Sequence, residues 1–196
     1  MILLPFMTIS APIAGIPKDS NSAQTYPIVF SQKNNIGING TLASNQVVDL
    51  KVQTLKAQAE AIDAYFKEHD MPLEGKGMKM ATEADLNDLD WRLLPAITVR
   101  ESTGGKFDCT KATFNAFGWG SCKIGFKSDE EAIEVVAKNL GGNNPKTARH
   151  YDNKTTKQIL NAYNPPSIVP HYTEQVMKIM NAIGDEEVKV EAKINS

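Results

Sequence analysis

LLPAITVRESTGG, at residues 93–105, lies at the centre of the predicted fold of this 196-residue chain. The apolar residues from Leu93 to Val99 predict a helix that is buried on most of its surface. Paired glycines, Gly104 and Gly105, are typical of the point where a helix ends. The segment therefore predicts a rigid, buried helix that presents one carboxylate, Glu101, near its C-terminal end.

Glu101 has the setting of a general acid. A general acid must hold its proton at the pH at which the enzyme works. Apolar neighbours disfavour a charged carboxylate, and so does the partial negative charge at the carbonyl end of a helix. The alternative is a solvated glutamate that precedes a glycine cap, which is the commoner role of a lone glutamate at a helix end. The motifs that follow favour the general acid.

Several short motifs follow Glu101-Ser102 in the order of a known family pattern: NAFGWG at 115–120, Ser128 opening a helix, AYN at 162–164 and Tyr172 opening the last helix. Together they resemble the lysozyme-like superfamily over residues 90–183. The glutamate-serine pair with NAFGWG and the later Phe-x-Ser is similar to the endo-β-N-acetylglucosaminidase domains of bacterial and phage cell-wall hydrolases, the mannosyl-glycoprotein endo-β-N-acetylglucosaminidase-like group. The same pair with AYN is equally similar to soluble lytic transglycosylases and goose-type lysozymes.

The resemblance implies a mainly α fold, a lysozyme-like helical domain with a small irregular or hairpin lobe. It also implies an enzyme that cleaves the glycan strands of bacterial peptidoglycan, with Glu101 as the catalytic acid. In the family the tyrosine of the AYN motif points toward the glutamate and the asparagine lies in the cleft. The residues expected to bind substrate are Ser102, Phe117, Trp119, Tyr163, Asn164 and Tyr172.

Most of these binding residues also have a structural interpretation. Phe117 and Trp119 lie between glycines that let the backbone approach a ligand, and exposed aromatic faces suit sugar rings. The same side chains could instead plug the small lobe. Tyr163 needs a hydrogen-bond partner wherever it is buried, Ser102 is a polar residue at a helix end, and the phase of Tyr172 with Val176 also fits core packing.

Glycoside hydrolysis also needs stabilisation of an oxocarbenium-like centre, commonly by a second carboxylate. The candidates are Asp108, Asp129, Glu130 and Asp152, although acidic residues in a first helical turn, such as Asp129 and Glu130, are favoured there in any case. Lytic transglycosylases work without a second acid, because the N-acetyl group of the substrate assists. Both enzyme classes therefore remain open, and so does a catalytically silent lysozyme-like module that only binds glycan.

Composition and residue spacing also bear on nucleic-acid binding, on metal and cofactor sites, and on the state of the two cysteines. The net charge of -2, without a basic run interleaved with aromatics, does not favour nucleic-acid binding. The three histidines have no metal-ligand spacing, and no phosphate loop or Gly-x-Ser-x-Gly elbow occurs, so we expect no metal and no cofactor. We favour a disulfide between Cys109 and Cys122 over two reduced thiols; it would stabilise the chain by roughly 3 kcal/mol and indicate an oxidising compartment.

We divide the chain into an apolar segment at 1–16, a polar linker or arm at 17–45, a catalytic domain at 46–184 and a charged tail at 185–196. The first segment is consistent with a signal or anchor remnant, although no basic residue precedes its apolar run. We expect a monomer that is secreted or located in the cell envelope, with peptidoglycan or a related amino-sugar polysaccharide as its partner and contact with a membrane only through the N-terminal segment.

Hydrophobic periodicity and capping signals predict an all-helical frame. A small hairpin-like lobe has room only between Asp108 and Ile124. In the predicted frame Asp90 caps the Glu101 helix, with Pro95 in its first turn or at a kink, and Gly184 ends the last helix. The predicted helices lie at about 48–69, 82–89, 90–102, 128–140, 155–163 and 172–183.

Overall fold

The computed structural model describes the backbone of residues 40–194 and the side chains of residues 47–189. This part of the chain is mainly α, as predicted, and contains no strand. Its eight helices are α1 (Gly40–Glu68), α2 (Gly77–Leu86), α3 (Leu93–Ser102), α4 (Trp119–Cys122), α5 (Asp129–Leu140), α6 (Ala148–Tyr151), α7 (Thr156–Tyr163) and α8 (Tyr172–Ile194).

Helix α3 is the central element. Its residues from Leu93 to Thr98 are all fully buried, and α2 and α8 pack against it while α1 packs against α2 and α8. The predicted burial of this helix is confirmed. Because α3 is enclosed by its neighbours, whatever stands at its C-terminal end is held by the core of the protein.

The start of α3 differs from the prediction. Arg92 is the N-cap residue, and its side chain makes no capping hydrogen bond. Asp90 instead accepts hydrogen bonds from the Arg92 backbone N–H at 3.0 Å and from its guanidinium. Asp90 thus closes a turn before the helix, since its short side chain reaches the backbone two residues on. Pro95 is accommodated in the first turn, where its missing N–H breaks no helical hydrogen bond.

Two further helix starts follow the sequence signals. The Ser128 side chain accepts the N–H of Glu131 at 3.2 Å at the start of α5, but the Glu131 carboxylate reaches the N–H of Lys127 and not that of Ser128. At the start of α7, Thr155 and Gln158 form a complete capping box.

Helix α2 begins at Gly77, before the start predicted near Thr82, and buries more of its residues than its polar sequence indicates. A Cβ atom at Gly77 would come within 2.2 Å of the Ala59 carbonyl oxygen of α1. The Asp63 carboxylate accepts the N–H groups of Gly75 and Gly77 at 2.8 and 2.9 Å. Glycine at this position lets the two helices touch, and Met80 is then fully buried against α1.

The predicted end of the last helix at Gly184 is wrong, because α8 continues to Ile194. Gly184 lies inside the helix, and a Cβ atom there would come within 3.2 Å of the Arg92 guanidinium. Glu186 follows and is only 9% exposed, with a hydrogen bond from Lys189. The helix continues beyond Gly184 because this part of it is packed, although glycine favours a helix end. The charged tail is therefore helical as far as Ile194.

The segment between α3 and α5 is irregular rather than a hairpin, and its central portion is closed by the predicted Cys109–Cys122 disulfide. Further along, the Phe126 N–H donates to the Thr113 carbonyl at 2.9 Å. We call residues 109–122 the disulfide loop.

The apolar segment at 1–16 and the greater part of the linker at 17–45 lie outside the described residues, whereas residues 40–45 belong to α1. Among the helices that the structure does describe, we find none with the length and apolar character needed to cross a bilayer.

Candidate active site

Glu101 is the penultimate residue of α3, as the sequence predicted. The helix ends at Ser102 and is capped by Thr103, whose φ of 54° is left-handed. The N–H groups of Thr103 and Gly104 bond back to the carbonyl oxygens of Val99 and Thr98. This cap turns the chain away and leaves the half-buried Glu101 side chain beside the next segment.

Two side chains from distant parts of the chain hold the Glu101 carboxyl group. The Tyr172 hydroxyl donates to Glu101 Oε1 at 2.7 Å, and Asn164 Nδ2 donates to the same oxygen at 3.0 Å. Tyr172 is the first residue of α8 and Asn164 follows the last residue of α7. Both hydrogen bonds end on Oε1, which leaves Oε2 without a hydrogen bond from the described side chains.

Tyr172 is itself fixed on both faces. It is 2% exposed; its ring stacks on Tyr163 with centroids 6.0 Å apart, and the Arg100 guanidinium lies 5.5 Å from the ring centroid. Burial and the neighbouring Glu101 charge both raise the pKa of Tyr172. The hydroxyl therefore keeps its proton and remains a hydrogen-bond donor to Glu101.

The disulfide loop brings backbone close to the other carboxyl oxygen. A Cβ atom on Gly118 would come within 2.9 Å of Glu101 Oε2, and the residue has a left-handed φ of 64°. Glycine is required here by the close approach as well as by the backbone conformation. Gly120 of the same motif also has a left-handed φ, of 63°, and a Cβ atom there would come within 2.6 Å of the Ile124 side chain.

Asn115 organises the loop around Gly118. Its side chain is fully buried and bonds three backbone groups: Oδ1 accepts the Trp119 N–H at 2.8 Å, while Nδ2 donates to the Trp119 and Ile124 carbonyls at 2.9 and 2.8 Å. These bonds tie both ends of the turn to one side chain, which fixes where Trp119 stands.

Two predicted binding residues support the loop instead of lining a cleft. Phe117 is 1% exposed because its ring fills the core, and its carbonyl accepts a hydrogen bond from the Tyr163 hydroxyl. Ser102 is buried, and its Oγ lies 2.8 Å from the Ala116 carbonyl and accepts the Gly105 N–H. Both side chains are buried and neither belongs to the lining of the cleft beside Glu101.

An open cleft of about 530 Å³ lies next to Glu101. Trp119 and Tyr163 form an aromatic wall in it, with ring centroids 5.7 Å apart, and Tyr151 adjoins Trp119 at 6.4 Å. Thr147 and His150 add polar groups. The arrangement combines flat apolar faces with hydrogen-bonding groups, which suits a ligand built of sugar rings.

The structure thus brings together Glu101, Trp119, Tyr163 and Asn164 in the cleft wall, with Tyr172 directly behind Glu101. The sequence analysis missed the contributions of Thr147, His150 and Tyr151. They lie on or next to the one-turn helix α6, which has no apolar periodicity to signal it. The one sequence feature that could have indicated them is Tyr151, an aromatic residue in an otherwise polar segment.

None of the four candidate second carboxylates lines this cleft. The Asp108 carboxyl group has a buried Oδ1 without a hydrogen-bond partner, and burial together with the charge of Asp129 raises its pKa. Glu130 forms an ion pair with Lys76, and Asp152 is exposed. Among the described residues, no three acidic, histidine or cysteine side chains gather as a metal site.

The chain matches no protein-family model, no curated protein and no solved structure.

Proposed function

We propose that this protein cleaves the glycan strands of peptidoglycan, with Glu101 as the general acid. The observation that carries the proposal is the arrangement at Glu101: Tyr172 and Asn164 fix one carboxyl oxygen, and the residue borders an aromatic-lined cleft. A carboxyl group held in one orientation can deliver its proton to one position of a bound substrate. The lysozyme-like resemblance of the motifs supplies the substrate class.

The cleft offers binding groups that suit such a strand. Trp119 and Tyr163 would stack against the apolar faces of sugar rings, and Tyr151 extends this wall beyond them. In this proposal the Asn164 amide, which donates to Glu101, also contacts a substituent of the sugar next to the scissile bond. His150 and Thr147 supply further hydrogen bonds at the cleft wall.

The reaction then begins with proton transfer from Glu101 to the glycosidic oxygen, and the bond between this oxygen and C1 breaks. Among the residues described, Glu101 is the one carboxylate that lines the cleft. The nucleophile would therefore be the substrate's own acetamido oxygen, which forms a bond to C1. The Glu101 carboxylate next accepts a proton from the group that displaces this oxygen.

That step distinguishes two enzymes. If the displacing group is water, the product is a reducing sugar and the protein is an endo-β-N-acetylglucosaminidase-like hydrolase. If it is the sugar's own 6-hydroxyl, the product is an anhydro sugar and the protein is a lytic transglycosylase. Because both routes need no second carboxylate, the described cleft lining is compatible with the lytic transglycosylase as a second candidate.

Digestion of purified peptidoglycan tests the proposal. We expect wild-type protein to release glycan fragments, and Glu101→Gln to lose at least a hundredfold in rate because the amide cannot donate the required proton. Glu134→Gln is the matched control, since Glu134 is 62% exposed on α5 and outside the cleft lining. Mass spectrometry of the fragment ends distinguishes reducing from anhydro products. Retained binding without cleavage by wild type would indicate a silent glycan-binding module.

Because the proposed substrate lies in the cell wall, we propose that the protein is secreted or located in the cell envelope. The Cys109–Cys122 disulfide supports this location, because such bonds persist in oxidising compartments. Thiol titration of protein isolated under alkylating conditions tests the assignment. Two free thiols in native material would contradict it.

A further inference from the structure

The disulfide loop has a backbone that its sequence does not favour. Phe114, Ser121 and Cys122 have φ values of 54°, 55° and 57°, in the left-handed region. Residues with a side chain avoid this region because Cβ approaches the following carbonyl oxygen. Two of the three positions are consecutive and stand at the end of the loop. Such a conformation persists only where the surrounding structure enforces it.

The disulfide is the covalent constraint at this end of the loop, beside two backbone hydrogen bonds: the Cys122 N–H donates to the Gly118 carbonyl at 3.4 Å and the Lys123 N–H to the Gly120 carbonyl at 3.2 Å. Asn115 bonds both backbone groups of Trp119 and the carbonyl of Ile124, but Ser121 and Cys122 lie between these anchors. The bond from Cys122 to Cys109, with Cα atoms 5.4 Å apart, is what ties the strained pair to the start of the loop.

This constrained end is also part of the cleft. Ser121 and Cys122 line it together with Trp119. Cys122 is exposed and Cys109 is half-buried, so a thiolate in solution can reach the sulfur of Cys122 from the open side. The helical core contains no sulfur bridge among its described residues, since both cysteines of the chain are in the loop.

Resting on the proposed sugar binding, we propose that the Cys109–Cys122 disulfide is a redox switch for the cleft wall: reducing it lets Ser121 and Cys122 relax, which shifts the Trp119 ring and weakens sugar binding, while Asn115 still holds the Trp119 backbone and the helices other than α4 remain folded. A dithiol supplies the two electrons and two protons: its thiolate attacks Cys122 Sγ and releases Cys109 as a thiol, and the second thiol of the reagent then attacks the reagent sulfur of this mixed disulfide and releases Cys122 as a thiol. The protein gains two thiols and the reagent becomes a cyclic disulfide. Ser121 and Cys122 can then leave the left-handed region.

Trp119 fluorescence reads out the switch without requiring catalysis. The chain has two tryptophans, so Trp91→Phe leaves Trp119 as the single reporter. On treatment with dithiothreitol we expect Trp119 emission to move to longer wavelength as the ring becomes hydrated, with an unchanged far-UV circular dichroism spectrum. The affinity for chitohexaose, a β-1,4-linked N-acetylglucosamine oligomer, should fall about tenfold through loss of aromatic contact.

Two variants sharpen the experiment. Cys109→Ser/Cys122→Ser should show the reduced behaviour with or without dithiothreitol. Ser121→Gly removes the penalty for the left-handed backbone at one strained position, so the ratio of oxidised to reduced affinity should shrink from about tenfold to about threefold. An equal ratio in Ser121→Gly and the wild type would refute the role of strain.

Three results would overturn the switch: an unchanged Trp119 spectrum after both thiols are shown free by alkylation, loss of the helical spectrum on reduction, or a disulfide that resists dithiothreitol in the folded protein. The second would make the bond a staple of the whole fold. A failure of the proposed sugar binding is separate, because it would appear as no affinity for chitohexaose in the oxidised protein while Trp119 still reports on the loop.

Discussion

Replacing Asn115 by alanine tests the organisation of the cleft wall independently of any activity. The substitution removes three hydrogen bonds of 2.8–2.9 Å from a side chain that is 0% exposed. At about 1 kcal/mol net for each bond, the expected loss in the free energy of unfolding is about 3 kcal/mol. For a chain of this size that corresponds to a fall of about 6–12 °C in Tm.

The measurement is urea unfolding of the oxidised protein followed by far-UV circular dichroism, together with Trp119 fluorescence in the Trp91→Phe background. Asn181→Ala is the matched control, since Asn181 is exposed on α8 and should change stability by less than about 0.5 kcal/mol. A loss below about 1 kcal/mol for Asn115→Ala, with an unshifted Trp119 spectrum, would refute the view that this side chain fixes the loop.

Three further results are expected. Gly118→Ala should lower glycan cleavage at least tenfold and stability by about 1 kcal/mol, since the new Cβ meets Glu101 Oε2 in a left-handed backbone; wild-type digestion rates would contradict this. Tyr172→Phe should fold normally but cleave about tenfold to a hundredfold more slowly, because a hydrogen bond to the carboxyl group is lost; unaltered kinetics would count against it. The hydrogen bond from Lys76 lowers the pKa of Glu130 to about 2. The contribution of this pair to the free energy of unfolding is therefore complete above about pH 4.5 and is lost as pH falls toward 2. Solvent exposure limits it to less than about 1 kcal/mol, and unfolding measured from pH 5 to 2 should depend less on pH in Lys76→Met.

Local sequence signals predicted the elements whose ends are determined by neighbouring residues. The apolar run and the glycines after Ser102 located α3 and Glu101, and Thr155 located the start of α7. Each signal acts within one or two helical turns, where capping and burial are direct consequences of residue type. The cysteines could be paired because the chain holds only two.

Contacts between distant segments could not be predicted from the sequence in the same way. Nothing in the sequence shows that the Tyr172 hydroxyl reaches Glu101, 71 residues earlier, rather than the core. Phe117 illustrates the reverse case, since its place in the glycine-containing motif suggested an exposed aromatic face but its ring is buried. At Gly184 the helix continues because packing against α1 and α3 outweighs the preference of glycine for a helix end.

The separation of Glu101 from Tyr172 also sets a sequence of events during biosynthesis. A ribosome adds about 5–20 residues per second, so the tyrosine is made roughly 4–14 seconds after the glutamate that it will hold. Until then α3 can form, but its carboxyl group has no hydroxyl donor from α8 and no stacked tyrosine pair behind it. The nascent chain therefore carries its acidic residue in an unassembled state, and the cleft acquires its final form only when the last helix docks.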